Sequence, residues 1–373
     1  MEQAIAATGT NNKSLNIALI VPYFYIELYY YFSFYGNVYV QTYEPFYHGP
    51  YLGRRLRLLS HEYLHGFAGW LGMKLRSRRV AGLLARLLNP PHRFQSLHVV
   101  HDLGLARPES IDLVVVAELL CRYDLRRFRN AVKAFWAIDS FNEQRIFMYE
   151  NVAGIDSYDL VFAAHRLGVE RFREHGVEAR FLPLALRYEW IYRPMSGVGK
   201  SYDVVFVGRL QRGTHSRRMR ILGEIVERLR RHGVRVHYTA AWHHDASRLY
   251  NSSRIVLNVS RLSELNLRVF EALGTRSFLL SDDGEVRLVL EPGRHLEVFS
   301  SVEEAVDKIL YYLGDSEARE RIASEGHREV LEKHTMFHRV EKIIEEAGFR
   351  VETRWSRLMP RLLQGGAAAA ESP

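Results

Sequence analysis

His61-Glu62-Tyr63-Leu64-His65 has the H-E-x-x-H spacing, which sets two imidazoles one helical turn apart with a glutamate base between them. A catalytic zinc of that kind needs a third ligand. The next glutamate after Glu62 is Glu109, and no metzincin extension follows, so a zinc metallopeptidase is only a minor alternative. A second signal is for an anion. Gly208 and Arg209 directly follow the apolar run Tyr202–Val207, and a glycine then a cation at a strand end suits phosphate. The residues after the first apolar run, Pro22-Tyr23-Phe24-Tyr25, hold no glycine, and no P-loop spacing occurs anywhere. The phosphate-binding turn is therefore expected in the C-terminal half. Polar residues at other strand ends complete the set. Asp139 closes Phe135-Trp136-Ala137-Ile138 and either faces a cleft or caps a helix over Phe141–Tyr149. His101, beside Asp102, and His165 also follow apolar runs and are further cleft candidates.

The elements that must position these residues alternate along the chain. Strands are expected at Leu15–Val21, Asn37–Thr42, Leu97–Val100, Asp112–Ala117, Val132–Ile138, Leu160–Ala163 and Ala179–Leu182. An amphipathic helix over Arg166–His175 ends at Gly176, as a left-handed cap would. A second series follows, with strands at Tyr202–Val207, Val234–Thr239, Arg254–Val259 and Ser277–Leu280, and helices at Ser216–Arg231 and Leu265–Leu273. Two such series predict two doubly wound α/β domains, with the cleft between them as the ligand site. The expected domains are 14–186 and 202–348, joined by a Pro- and Gly-bearing linker at 187–201 and followed by a tail at 349–373.

Composition excludes several classes. With 47% hydrophobic, 25% charged and 12% aromatic residues, the chain is neither disordered nor collagenous. A single cysteine, Cys121, excludes an internal disulfide and a cysteine-based zinc site, and fits a reducing compartment. Residues 15–40 carry one charge, Glu27, over a length that could cross a bilayer, but Pro22, Gly36 and Asn37 interrupt them. A buried strand and an aromatic-rich helix fit better there. Residues 1–14 show no charged-then-apolar signal pattern, so a cytoplasmic chain is expected.

The motifs from Tyr202 to Arg339 resemble the C-terminal domain of GT-B glycosyltransferases, in the spore-maturation (CgeB-like) branch related to family 4. The likeness is carried by DVVFVGRLQR (203–212), YNSSRIVLNVSR (250–261), ELNLRVFEALGTRSFLLSDD (264–283), EPGRHLEVFSSVEEAVDKILYYL (291–313) and GHREVLEKHTMFHRV (326–340). A weaker likeness runs through KAFWAIDS (133–140) and 158–185. The resemblance implies a GT-B fold of two Rossmann-like domains that transfers a sugar, with retention, from a nucleoside-diphosphate sugar to an acceptor: glycan, lipid or protein. It needs no cofactor. No two aspartates lie two positions apart, so the Asp-x-Asp metal site of the other glycosyltransferase fold has no ligands. The leaving diphosphate would instead meet Arg209, Arg212, Arg268 and the helix opened by Asn266 and Leu267, around Gly208. Glu271 matches the second glutamate of the family's Glu-x7-Glu motif, which holds the donor ribose. Glu264 lies one residue too close to be the first, whose place is taken by Ser263. Glu264 and Asp139 are the catalytic candidates that the resemblance leaves. A GT-B fold kept as a non-catalytic binding module is the alternative.

One further partner is suggested by charge alone. Residues 51–93 carry nine basic side chains against the single acidic Glu62, a net +8 that equals the formal charge of the whole chain. Leucines, Phe67, Trp70 and Met73 alternate with those charges at helical spacing. The pattern fits either ordinary surface helices or peripheral docking on an anionic membrane. No nucleic-acid recognition module accompanies it.

Overall fold

Leu15–Pro22 (LNIALIVP) forms β1, in which every residue from Ile17 to Val21 is buried. An apolar run with no polar alternation must be covered on both faces, so it belongs inside a parallel sheet. The computed structural model describes residues 15–22, 28–43, 94–95, 106–118, 123–209 and 216–351. They form two compact units, one running to Leu182 and including Ile343–Val351, the other from Pro183 to Lys342.

In the first unit β1 is followed by a short helix α1 (Leu28–Phe32), β2 (Gly36–Tyr43), β3 (Phe94–Gln95), β4 (Leu113–Ala117) and β5 (Val132–Ala137). Helix α2 (Glu143–Met148), β6 (Leu160–Ala163), α3 (Arg166–Glu174) and β7 (Ala179–Phe181) complete it. The strand order is β3-β2-β1-β4-β5-β6-β7, parallel throughout except for the β2–β3 pair. The order reverses between β1 and β4. The described residues between 15 and 43 are thus a strand, a helix and a strand, and among the described residues no helix is long and apolar enough to cross a membrane. The strand expected at Leu97–Val100 lies outside the described residues, as do His101 and the 51–93 segment. Helix α2 corrects one expectation. Its cap is Asn142, whose side chain accepts from Arg145 N at 2.9 Å, so Asp139 does not cap it. A π-turn, Tyr149–Ala153, continues the helix and ends at Gly154, at φ +69°.

The second unit has β8 (Tyr202–Val207), α4 (Ser216–Arg231), β9 (Val236–Thr239), α5 (His243–Asn251), β10 (Ser253–Asn258), α6 (Leu267–Gly274), β11 (Phe278–Asp282) and β12 (Glu297–Phe299). Three helices follow: α7 (Val302–Gly314), α8 (Ser316–Lys333) and α9 (Met336–Glu346). All pairs are parallel in the order β12-β11-β10-β8-β9, which reverses between β10 and β8. Val204, Phe206, Ile255, Leu257 and Leu280 of the central strands pack on Leu222, Ile225 and Leu229 of α4 and Ile309 of α7. The segment 187–201, expected as a linker, is instead part of this unit. Ile191 and Tyr192 are buried, and α5 ties them down: Ser247 Oγ donates to Ile191 O at 2.7 Å, and Asn251 Oδ1 accepts from Met195 N at 2.8 Å. Its Pro and Gly residues only bend a segment whose aromatic start is core.

Candidate functional site

In open parallel sheets, ligands bind beyond the carboxyl ends of the strands where the strand order reverses. In the second unit that point lies past β8 and β10. Gly208 leaves β8 with its N–H on Thr239 O at 2.8 Å. A Cβ at Gly208 would come within 2.3 Å of Arg268 Nη2, so the turn is bare because a guanidinium lies against it. Arg268 is the second residue of α6. Its Nε donates to Val207 O at 2.5 Å, its Nη1 to Asn258 Oδ1 at 2.6 Å, and it lies over the Phe206 ring at 4.6 Å. Asn266 caps α6, accepting from Arg268 N at 3.1 Å. Buried Asn258, at the end of β10, braces both: its Oδ1 also accepts from Asn266 Nδ2 at 3.2 Å, and its Nδ2 donates to Ser281 Oγ at 2.9 Å. The result is a helix N-terminus with a fixed arginine beside it, opened by Leu267 at the strand ends, which suits an anion.

More cations surround this point than the motifs indicated. Arg209 is exposed and lies over Trp242, itself 59% exposed, at 4.9 Å. Arg218 is buried under the same turn, with Nε donating to Val259 O at 2.7 Å. Burial first, and then the neighbouring Arg268, pull its guanidinium down to about 10. Arg217 donates to Asp282 Oδ2 at 3.1 Å and Ser260 O at 3.3 Å. Arg217 and Arg218 escape a sequence reading because SRRMR looks like the solvated start of a basic helix. Arg212 lies outside the described residues. Beside Trp242 a groove of about 680 Å³ runs between β9 and α5, lined by Tyr202, His237, Thr239, Asp245 and Arg248.

Glu271 stands one turn along α6 from Arg268, on the same face. It is packed round by protein yet keeps some solvent access, as a group lining a recess does. Burial pushes its carboxyl up, against the pull of Arg187 and Arg268 and a hydrogen bond from Tyr192. Glu264 is differently occupied. Its Oε1 accepts from Arg261 N at 3.0 Å and its Oε2 from Leu262 N at 2.6 Å, so both oxygens brace their own loop. The next link is Ser263, at φ +63°, packed so tightly that a Cβ at Gly284 would sit 2.3 Å from its carbonyl oxygen.

The first unit holds the other candidates. Asp139 follows β5 and is partly exposed, with Arg145 Nη2 at 3.7 Å from Oδ2. Its N–H donates to Glu118 Oε2 at 3.0 Å. Glu118, at φ +56° just past β4, is a residue the sequence reading missed: nothing marks one glutamate after an apolar strand as special. His165 is buried beside that turn, its N–H on Ser140 Oγ at 3.2 Å and its ring edge-on to Phe141 at 5.4 Å. Among the described residues no three His, Cys, Asp or Glu side chains are grouped to hold a metal, and His61–His65 lies outside them.

Two parallel α/β sheets of this kind, each with its own strand reversal, are the GT-B architecture. Residues 205–345, nearly all of them in the second unit, match the family described as Glycosyl transferase-like. No curated protein matches the chain in sequence. Among solved structures the chain is similar to the sucrose-phosphate synthase of Thermosynechococcus elongatus (12% identity, TM-score 0.54, covering 94% of this chain and 100% of that one). It is similar to HepE of Anabaena, solved with UDP and glucose (12% identity, TM-score 0.54, 90% and 99% covered). A third is the N-terminal domain of the Candida albicans trehalose-6-phosphate phosphatase (10% identity, TM-score 0.58, 91% and 98% covered). At such identities these likenesses show the shared fold.

Proposed function

We propose that this protein is a glycosyltransferase that takes its sugar from a nucleoside-diphosphate sugar, in the CgeB-like branch of the GT-B enzymes. The observation that carries the reading is Arg268, locked to the ends of β8 and β10 beside the α6 N-terminus. Departure of the diphosphate builds negative charge, and preorganised cations and amide N–H groups stabilise it without reorganisation. In this reading Arg209, Arg212 and Arg268 take the diphosphate over Gly208, with Asn266 and Leu267 presenting the helix end. Glu271 takes the ribose hydroxyls, and the exposed face of Trp242 takes the base. The first unit serves the acceptor through Asp139, with His165 beside the same turn and His101 as a further candidate. Configuration is retained and no metal or cofactor is needed. HepE was solved with UDP and glucose, so UDP-sugars are the first donors to try.

The test is nucleotide release. Protein given UDP-, GDP-, ADP- and dTDP-sugars with EDTA present releases the matching nucleotide from at least one. No binding of any donor or nucleotide would defeat the proposal. A second reading is favoured by Glu264 and Ser263: with the first glutamate's place filled by a serine and Glu264 turned onto its loop, the site binds donor without transfer. Saturable UDP binding with no release from any donor would select it.

A further inference from the structure

We infer that Glu118 is a positioning residue for Asp139: seated behind the turn that follows β5, its carboxylate holds the backbone that presents the Asp139 side chain. The inference rests on the proposed role of Asp139. Glu118 is buried, at 4% exposure, in a left-handed conformation that glutamate rarely adopts. That strain and burial place Oε2 where three donors converge: Ile138 N–H at 2.9 Å, Asp139 N–H at 3.0 Å and Tyr149 O–H at 2.5 Å. Two of the three are consecutive amides of one turn. The carboxylate therefore fixes the peptide plane on which the Asp139 side chain is mounted. Tyr149 opens the π-turn after α2, an irregularity that carries its hydroxyl to this point.

Charge couples the two acids as well. Arg145 lies between them, Nη1 3.7 Å from Glu118 Oε1 and Nη2 3.7 Å from Asp139 Oδ2. While Glu118 is ionised the guanidinium is shared. Once Glu118 takes a proton, the turn loses the strength of its charge-assisted bonds and Arg145 turns its charge on Asp139 alone. Burial and the Asp139 charge push the Glu118 carboxyl up to about 7, while Arg145, the Tyr149 hydroxyl and the Asp139 amide pull it down. The hold on Asp139 is thus complete above neutral pH and weakens below it.

The experiment follows the Asp139 backbone amide by NMR in the full chain between pH 5.5 and 8.5, beside donor turnover. In the wild type the amide titrates with a midpoint near 7, and turnover falls below the same midpoint. In Glu118→Gln the amide is flat, and turnover is about tenfold lower at pH 8 with no limb near neutrality. In Tyr149→Phe a stabilising donor is gone and the midpoint moves up by about one pH unit. A merely structural glutamate would shift no midpoint. An amide that does not titrate, or titrates alike in Glu118→Gln, overturns the inference whether or not a donor has been found. If the amide follows Glu118 while Asp139→Asn turns over as the wild type does, the clamp stands and the catalytic reading of Asp139 falls.

Discussion

Both sheets reverse their strand order, but their strand ends carry opposite charges. Past β8 and β10, Arg209, Arg217, Arg218 and Arg268 gather around a bare glycine and a helix N-terminus. Past β4 and β5 the first unit sets two carboxylates, Glu118 and Asp139, around one shared Arg145. Similar backbones thus carry different chemistry, because function sits in side chains grafted on strand ends. At the cationic end Arg268 is braced by neutral groups, Asn258 and the Val207 carbonyl, while Arg217 is paired with Asp282. The acidic end is braced by a buried charge, which makes its geometry depend on pH.

The largest effect that would break the comparison is loss of the cationic end. Arg268→Ala removes a fixed guanidinium from the proposed diphosphate site. With charge-assisted contacts at about 1.5–3 kcal/mol each, two lost contacts lower kcat/KM roughly several hundredfold. Turnover within threefold of wild type would remove Arg268 from the site. A subtler version moves the arginine without deleting it. Gly208→Ala drives a methyl into the space 2.3 Å from Nη2, a side-chain atom and not backbone, so the fold survives while the guanidinium is pushed from its place. Calorimetry is expected to show UDP binding about tenfold weaker, and unchanged binding would mean that the Gly208 turn touches no ligand.

At the acidic end the expected effect is on stability. The folded-state pKa of Glu118 is raised from 4.5 to about 7, so the folded protein keeps a proton that the unfolded chain has lost. Stability therefore falls as pH rises through that window, and the full cost stands above pH 7. Glu118→Gln removes the ionisation, so relative to the wild type it gains about 3 kcal/mol between pH 4.5 and 8. Thermal melts at both pH values check this, and a difference independent of pH would mean that the Glu118 charge is not strained. The variant gains stability where it loses positioning, the usual conflict at a functional site.

How much of this was readable in advance depended on what each side chain faced. LNIALIV and LVVVA declare themselves as strands because both faces are buried. Arg268 and Gly208 were readable because a strand end and a helix start flank them. Helix α5 was missed since its buried face, Ala246, Ser247, Tyr250 and Asn251, is small or polar and shows no apolar stripe. Asn142 and Asp139 are equally good caps by composition, and only backbone geometry chooses between them. The roles of Glu118 and of Glu264 turn on left-handed residues, Glu118 itself and Ser263, which no residue type announces.

A smaller effect is expected from the basic segment 51–93, which the comparison of the two sheets does not reach. At about 1 kcal/mol per basic residue near an anionic surface, a few engaged arginines give salt-sensitive binding. Co-sedimentation with anionic but not neutral liposomes at low salt is expected, and Arg76→Glu, Arg78→Glu and Arg79→Glu together abolish it without altering nucleotide release. Equal binding to both liposome types, or to neither, would make the segment an ordinary basic surface.

The smallest expected effect is none, and it tests what the cationic end is for. A metal in a glycosyl transfer neutralises the departing diphosphate, and the aspartate pair that would hold one is missing from the sequence. Arg209, Arg268 and the α6 N-terminus bring positive charge to the strand ends past β8 and β10, and Arg218 lies buried beneath them. If they do that work, millimolar EDTA leaves nucleotide release unchanged, and added magnesium or manganese raises it less than twofold. Inhibition by EDTA that zinc reverses would return attention to His61 and His65, and with it to the zinc chemistry their spacing first suggested.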